Sequence, residues 1–260
     1  MRPPLPPGPY LVVGLARSGA AAALMLRDHG EVIGVDSGEP EPAPEGVEVH
    51  TRSDGVELLD RARTVVKSPG VPQEAPVVAA ARERGIEVTG ELELAWRLLP
   101  NRFAAVTGTN GKTTTTELLG AIAREAGLEV AVAGNVGTPL ASHVGQLARD
   151  AVVVCECSSF QLEDSSAFAP EAALLLNLEE DHLDRHGTFD AYRDAKLRIF
   201  ENQRADDVAV VPRGFAEADV AGRDKWLAAP HERAVAHDQV AALAAEVHAR
   251  GGHRGVESRG

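Results

Sequence analysis

Apolar and polar positions along the chain alternate between strand-like and helix-like stretches. Tyr10–Val13 and Val32–Asp36 are short β-branched runs, and residues 18–29 between them carry the Ala and Leu spacing of a helix. Residues 47–50 form a weaker strand pattern, and Thr64–Lys67 a stronger one that stops at Ser68-Pro69-Gly70. A helix pattern over 74–84 closes at Gly85, and 86–88 reads as a last strand of this series. A second series starts after Pro100. It has strand patterns at 103–106, 130–133, 151–155, 172–178 and 208–211, with helix patterns at 113–126 and 189–202. Strands that alternate with helices predict parallel sheets covered by helices, an α/β fold.

At 260 residues the chain has room for two domains. Its 26 Lys and Arg against 39 Asp and Glu give a net charge of −13, which argues against a general nucleic-acid binder. A small anionic ligand stays open, because a few local groups suffice to hold a phosphate. The proline-rich start lacks the apolar core of a signal peptide, and no apolar run is long enough for a membrane span. Cys155 and Cys157 suit a reducing compartment and read as packing residues.

The most informative stretch is Ala104-Ala-Val-Thr-Gly-Thr-Asn-Gly-Lys-Thr-Thr114. A strand runs into a glycine-bearing turn, and Lys-Thr-Thr opens a helix. Backbone N–H groups there can approach phosphate oxygens, and the helix N-terminus adds its positive dipole end. Lys112 would reach the outer phosphates, and the Thr113 hydroxyl would bind Mg²⁺. The first glycine of the full phosphate-loop pattern is replaced by Val106, so this is a shortened variant. Glu156 and His182 each follow a strand, at the sheet edge where ligands bind in open α/β folds. Taken singly, each is equally well an exposed carboxylate or a loop histidine. Lys196 falls within the apolar stripe of its helix, beside Tyr192, Ile199 and Phe200, so it must snorkel, pair or lose its charge.

In the first series, Val13-Gly-Leu-Ala-Arg-Ser-Gly19 joins strand to helix but breaks the spacing of a dinucleotide fingerprint. Asp36 ends the second strand, either as a ligand for a ribose or uracil edge or as a turn-forming residue before Ser37-Gly38. Ser68-Pro69-Gly70 could set backbone N–H groups beside a diphosphate.

The loop Gly108-Thr-Asn-Gly-Lys-Thr-Thr114 resembles that of the Mur ligase family, which also includes the folylpolyglutamate synthases. Gly134-Asn-Val-Gly137, Glu156-Cys-Ser-Ser-Phe-Gln-Leu-Glu163 and Asn177-Leu-Glu-Glu-Asp-His-Leu-Asp-Arg-His-Gly187 extend the resemblance. It covers roughly residues 10–211 and weakens beyond them. It implies a Rossmann-like UDP-substrate domain at 1–97 and a partial phosphate-loop ATPase-type central domain at 98–211. It further implies a cytoplasmic, monomeric, ATP-dependent amide-forming ligase of peptidoglycan precursor synthesis. The expected reaction activates UDP-N-acetylmuramoyl-L-alanine as an acyl phosphate, which D-glutamate then attacks. By the same resemblance, Gly108, Thr109, Asn110, Gly111, Lys112, Thr113 and Thr114 hold ATP. Thr113, Glu156, His182 and a carbamylated Lys196 hold two Mg²⁺ ions, and Lys112, His182 and Lys196 are catalytic. Gly14, Leu15, Ala16, Arg17, Ser18, Asp36, Ser68, Pro69, Gly70, Asn135 and Ser158 contact the UDP-linked substrate.

In the family a third domain follows. Here 212–260 reads as an atypical tail with one helix pattern at 238–250 and a disordered close. Pro230-His-Glu-Arg233 is a degraded echo of the family's adenine loop. The alternative expectation is therefore a truncated, inactive chain that binds nucleotide or UDP-sugar.

Overall fold

The structure, a computed structural model, describes residues 1–40, 42–212, 215 and 226–229. Its first half contains β1 (Tyr10–Val13), α1 (Arg17–Leu26), β2 (Val32–Asp36), β3 (Glu48–Thr51) and β4 (Thr64–Lys67). These are followed by α2 (Pro76–Glu83), β5 (Glu87–Gly90) and α3 (Glu91–Leu98). The strands form one parallel sheet in the order β3-β2-β1-β4-β5. Successive side chains of a strand point to opposite faces. Tyr10 and Val12 accordingly join Ala22, Leu26, Leu92 and Trp96 on one face. Leu11 and Val13 join Val65, Val77 and Ala81 on the other.

The second half contains β6 (Arg102–Thr107), α4 (Lys112–Glu125), β7 (Val130–Gly134), β8 (Val152–Glu156) and α5 (Ser159–Leu162). It continues with β9 (Ala172–Leu175), α6 (Leu183–His186), α7 (Phe189–Glu201), β10 (Val208–Pro212) and β11 (Trp226–Ala229). This second parallel sheet has the order β11-β10-β9-β6-β8-β7. Ala104, Val106 and Val154 face Leu119 of α4. Phe103, Ala105 and Val153 face the other way, toward Ile199 and Phe200 of α7.

That second face merges with one face of the first sheet into a single apolar cluster. Trp96 meets Phe168 edge-on at 5.8 Å, and Phe168 meets Phe103 at 6.2 Å. All three rings are buried, and burying a side chain of this kind contributes about 1.5–3 kcal/mol.

Three differences from the sequence pattern stand out. α3 lies where no helix is expected, and its Glu91 and Glu93 point inward. β9 stops at Leu175 rather than at 178, and beyond it Asn177 O accepts from Thr109 N of the phosphate loop. β11 extends the sheet beside β10, inside the stretch read as a tail. The helix pattern at 238–250 and the Pro230-His-Glu-Arg233 segment lie outside the described residues. No helix among the described residues is long and apolar enough to cross a membrane.

Candidate active site

β6 sits between β8 and β9, so the loop that leaves it is flanked by the ends of both neighbours. On the β9 side, Thr109 N donates to Asn177 O at 3.1 Å and Asn110 N to Asn177 Oδ1 at 2.8 Å. Gly111 begins α4 in the left-handed region at φ 81°, and no side chain caps the helix. The first amides of α4 therefore lack an intrahelical acceptor and suit an anion.

On the β8 side, the register pairs Val106 with Glu156. Glu156 is the last residue of β8 and is 2% exposed. Thr113 Oγ1 donates to its Oε2 at 2.8 Å, and Asn135 Nδ2 donates to its Oε1 at 2.9 Å. Gly134 makes room for this: a Cβ there would stand 2.2 Å from Glu156 O, and its φ of 119° disfavours any side chain. A hydroxyl and a carboxylate at the head of a phosphate loop are hard oxygen donors of the kind Mg²⁺ prefers. Among the described residues, no group of three or more His, Cys, Asp or Glu side chains could hold a metal. Protein donors here would thus be completed by ligand oxygens, as is common for Mg²⁺.

Lys196 is 2% exposed on α7, as its place in the apolar stripe predicts. Its Nζ donates to Gly108 O at 2.8 Å and lies 4.7 Å from the centre of the Tyr192 ring. Burial, with the nearby Lys112 charge second, lowers its pKa to about 7. Lys112 Nζ donates to Gly108 O at 2.9 Å and to Thr109 O at 3.0 Å. The Tyr192 hydroxyl contacts Thr109 Oγ1 at 3.0 Å.

His182 makes its contacts elsewhere. Its side chain is half-exposed, with Nε2 3.5 Å from Asp181 Oδ2 and its ring 4.9 Å from Phe160. Its backbone is left-handed at φ 52° and ψ 31°, a conformation that costs a non-glycine residue about 1–3 kcal/mol. Cys155 and Cys157, on either side of Glu156, are buried free thiols 3.8 Å apart.

In the first sheet, β1 lies between β2 and β4, and the loops after β1 and β4 meet, Ser68 Oγ donating to Gly14 O at 2.7 Å. They open on a cavity of about 540 Å³ whose wall includes Gly14, Ala16, Arg17, Ser18, Asp36, Ser68, Pro69 and Gly70. Asn135 and Gly137 of the second half complete it. Arg17 reaches across and donates to Gly137 O. Asp36 accepts from Leu15 N at 2.6 Å and from Gly38 N at 2.8 Å, so it forms the turn and lines the cavity at once. Two expected contacts lie away from the cavity wall. The Leu15 side chain is buried in the core, and Ser158 Oγ caps α5 by accepting from Gln161 N.

Residues 106–236 match the Mur ligase middle domain, and residues 9–90 match the Mur ligase MurD-like N-terminal domain. The UDP-N-acetylmuramoylalanine–D-glutamate ligase of Koribacter versatilis is 44% identical over 210 residues, covering 77% of this chain and 46% of its own. That of Geobacter metallireducens is 48% identical over 210 residues, with the same coverage of both chains. The chain spans about half the length of the curated relatives it matches. Among solved structures, the UDP-N-acetylmuramate:L-alanyl-gamma-D-glutamyl-meso-diaminopimelate ligase from Neisseria meningitides shares the fold. It aligns with TM-score 0.53 and 21% identity, covering 79% of this chain and 71% of that one.

Proposed function

Because this chain belongs to the Mur ligase family, we propose that it carries the ATP- and UDP-substrate-binding parts of a D-glutamate-adding ligase. In this reading residues 1–97 hold UDP-N-acetylmuramoyl-L-alanine and residues 98–211 hold ATP, in a cytoplasmic monomer. The terminal L-alanine carboxylate takes the γ-phosphoryl group, and the amine of D-glutamate displaces phosphate from the resulting acyl phosphate.

The observation that carries the reading is Asn135. It forms part of the cavity wall and holds Glu156 Oε1, while Thr113 at the head of the phosphate loop holds Oε2. One short bridge thus joins the pocket for the acceptor to the loop for the phosphoryl donor. Such a bridge supports in-line transfer, where positioning and charge neutralisation supply most of the catalysis. Lys112 would meet the outer phosphates. Thr113 and Glu156, with His182 brought in by a change at its exposed ring, would hold Mg²⁺, which neutralises phosphate charge when bound. Lys196, as a neutral amine in a buried site, suits carbamylation by CO₂ to give a further anionic oxygen ligand.

The test is ATP-dependent phosphate release with UDP-N-acetylmuramoyl-L-alanine, with and without D-glutamate, in wild type and Lys112→Ala. Release that requires D-glutamate and disappears in the variant is the expected result. Substrate binding without release would make the chain a binding module instead.

A further inference from the structure

A side chain of the segment that carries His182 reaches across to the first half of the molecule. Arg185 lies on α6, one turn beyond His182. Its Nη2 donates to Pro69 O at 3.2 Å and to Val71 O at 2.5 Å, and its Nη1 donates to Gly70 O at 3.4 Å. Its carbon stem and guanidinium are 15% exposed, with Cζ 4.8 Å from the centre of the Phe160 ring and Nη2 3.5 Å from Glu163 Oε1. The planar fork of an arginine presents its N–H donors in a fixed, spread geometry, whereas a lysine offers one compact ammonium.

Both ends of this contact belong to the candidate site. The carbonyls come from the loop after β4, which forms part of the cavity wall. On the other side, the backbone N–H of Arg185 donates to His182 O at 3.0 Å, which puts Arg185 one helical turn from His182. His182 also packs on Phe160, the ring over which Arg185 lies. One guanidinium and one ring thus connect the 69–71 loop to His182.

Building on the function proposed above, we propose that Arg185 is a positioning residue that couples occupancy of the first-domain cavity to the nucleotide site. A UDP-linked substrate seated against Ser68–Gly70 fixes the three carbonyls. They fix Arg185, and Arg185 sets His182 through the Phe160 ring that both side chains pack on. Substrate binding then tightens Mg·nucleotide binding, and by linkage the nucleotide tightens substrate binding by the same factor.

The test is calorimetric titration of the full chain with Mg·AMP-PNP, with and without saturating UDP-N-acetylmuramoyl-L-alanine. Wild type should bind the nucleotide at least about 5-fold tighter when the substrate is present. Arg185→Ala should bring that ratio close to one while each ligand alone still binds within about threefold of wild type, a change under 1 kcal/mol. Arg185→Lys should fall between. A merely structural role would weaken both single-ligand affinities and leave their ratio intact. A wild-type ratio near one, or a ratio unchanged in Arg185→Ala, overturns the coupling while leaving the proposed function standing. Wild type that binds neither ligand removes both. If Arg185→Ala does not fold, a wild-type ratio in Arg185→Lys overturns the coupling.

Discussion

Lys196 and Lys112 bring their ammonium nitrogens to one carbonyl oxygen, that of Gly108, at 2.8 and 2.9 Å. Two like charges on one acceptor, one of them buried, favour the neutral form of the more buried amine. Lys196 is that amine, lowered to about 7. Only a neutral amine adds to CO₂, so uptake at Lys196 should rise with pH through about 7. ¹³C NMR with labelled bicarbonate should show a carbamate signal in wild type and none in Lys196→Ala. In Lys112→Met the midpoint should move to higher pH, because a repelling charge is gone. A midpoint unmoved by that change would contradict the pairing.

Thr113→Val keeps the shape of the side chain and removes the hydroxyl that holds Glu156 Oε2. Loss of a partner that orients a metal-binding carboxylate costs about 10–100-fold in metal affinity. Mg·ADP affinity should fall by that factor, whereas metal-free ADP should bind almost as before. Calorimetric titration in Mg²⁺ and in EDTA separates the two. Equal losses in both would mean that Thr113 serves the phosphate rather than the carboxylate.

Lys67 and Asp164 form an ion pair of 2.7 Å in which the two side chains are 0% and 2% exposed. Gln73 Nε2 donates to the same carboxylate at 2.9 Å. Removing one member strands the other, at a cost of about 3–5 kcal/mol. Lys67→Ala should lose that much in urea unfolding. The double change Lys67→Met with Asp164→Leu should lose distinctly less, since no charge is left unpaired. A double variant as weak as the single one would show that packing, not charge, sets the loss.

Glu91 is 2% exposed at the start of α3, where Ala141 N donates to it at 2.6 Å and Ser18 Oγ at 3.3 Å. Burial raises its pKa to about 7, above the ordinary value of 4.5. Between these values the folded chain holds more protons than the unfolded chain, so the contribution of Glu91 to stability falls as pH rises through about 7. Glu91→Gln cannot ionise. Its melting temperature relative to wild type should therefore climb from about pH 5 to about pH 8. A constant difference would place the carboxyl outside this titration.

The strands of both sheets up to β10 were legible because they are compact β-branched or apolar runs such as Thr64–Lys67 or Val152–Glu156, whereas β11 lay in the stretch read as a tail. α3 was not. Its buried Glu91 and Glu93 interrupt the apolar stripe, and Glu93 is held by Arg97 and by the amides of residues 166–168. A carboxylate satisfied by distant amides looks in sequence like a surface residue. α5 and α6, of four residues each, are too short to show a period. In the candidate site, the glycine loop follows from local pattern, and Glu156 from its place at a strand end together with the family resemblance. The reach of Arg185 to the 69–71 loop follows from neither, since it joins residues more than a hundred positions apart.

The apolar cluster shared by the two sheets bears on how such a chain can be rearranged. Asn101, at the junction, is 1% exposed and donates its side-chain amide to Ala148 O and Ala151 O. The seam between the halves is therefore a poor place to recombine them. A first half borrowed from a distant relative would have to bring its own match for Phe168 along with Trp96. Exchanging the first half alone should therefore leave Phe168 without its edge-on partner and cost the chimaera stability at the seam.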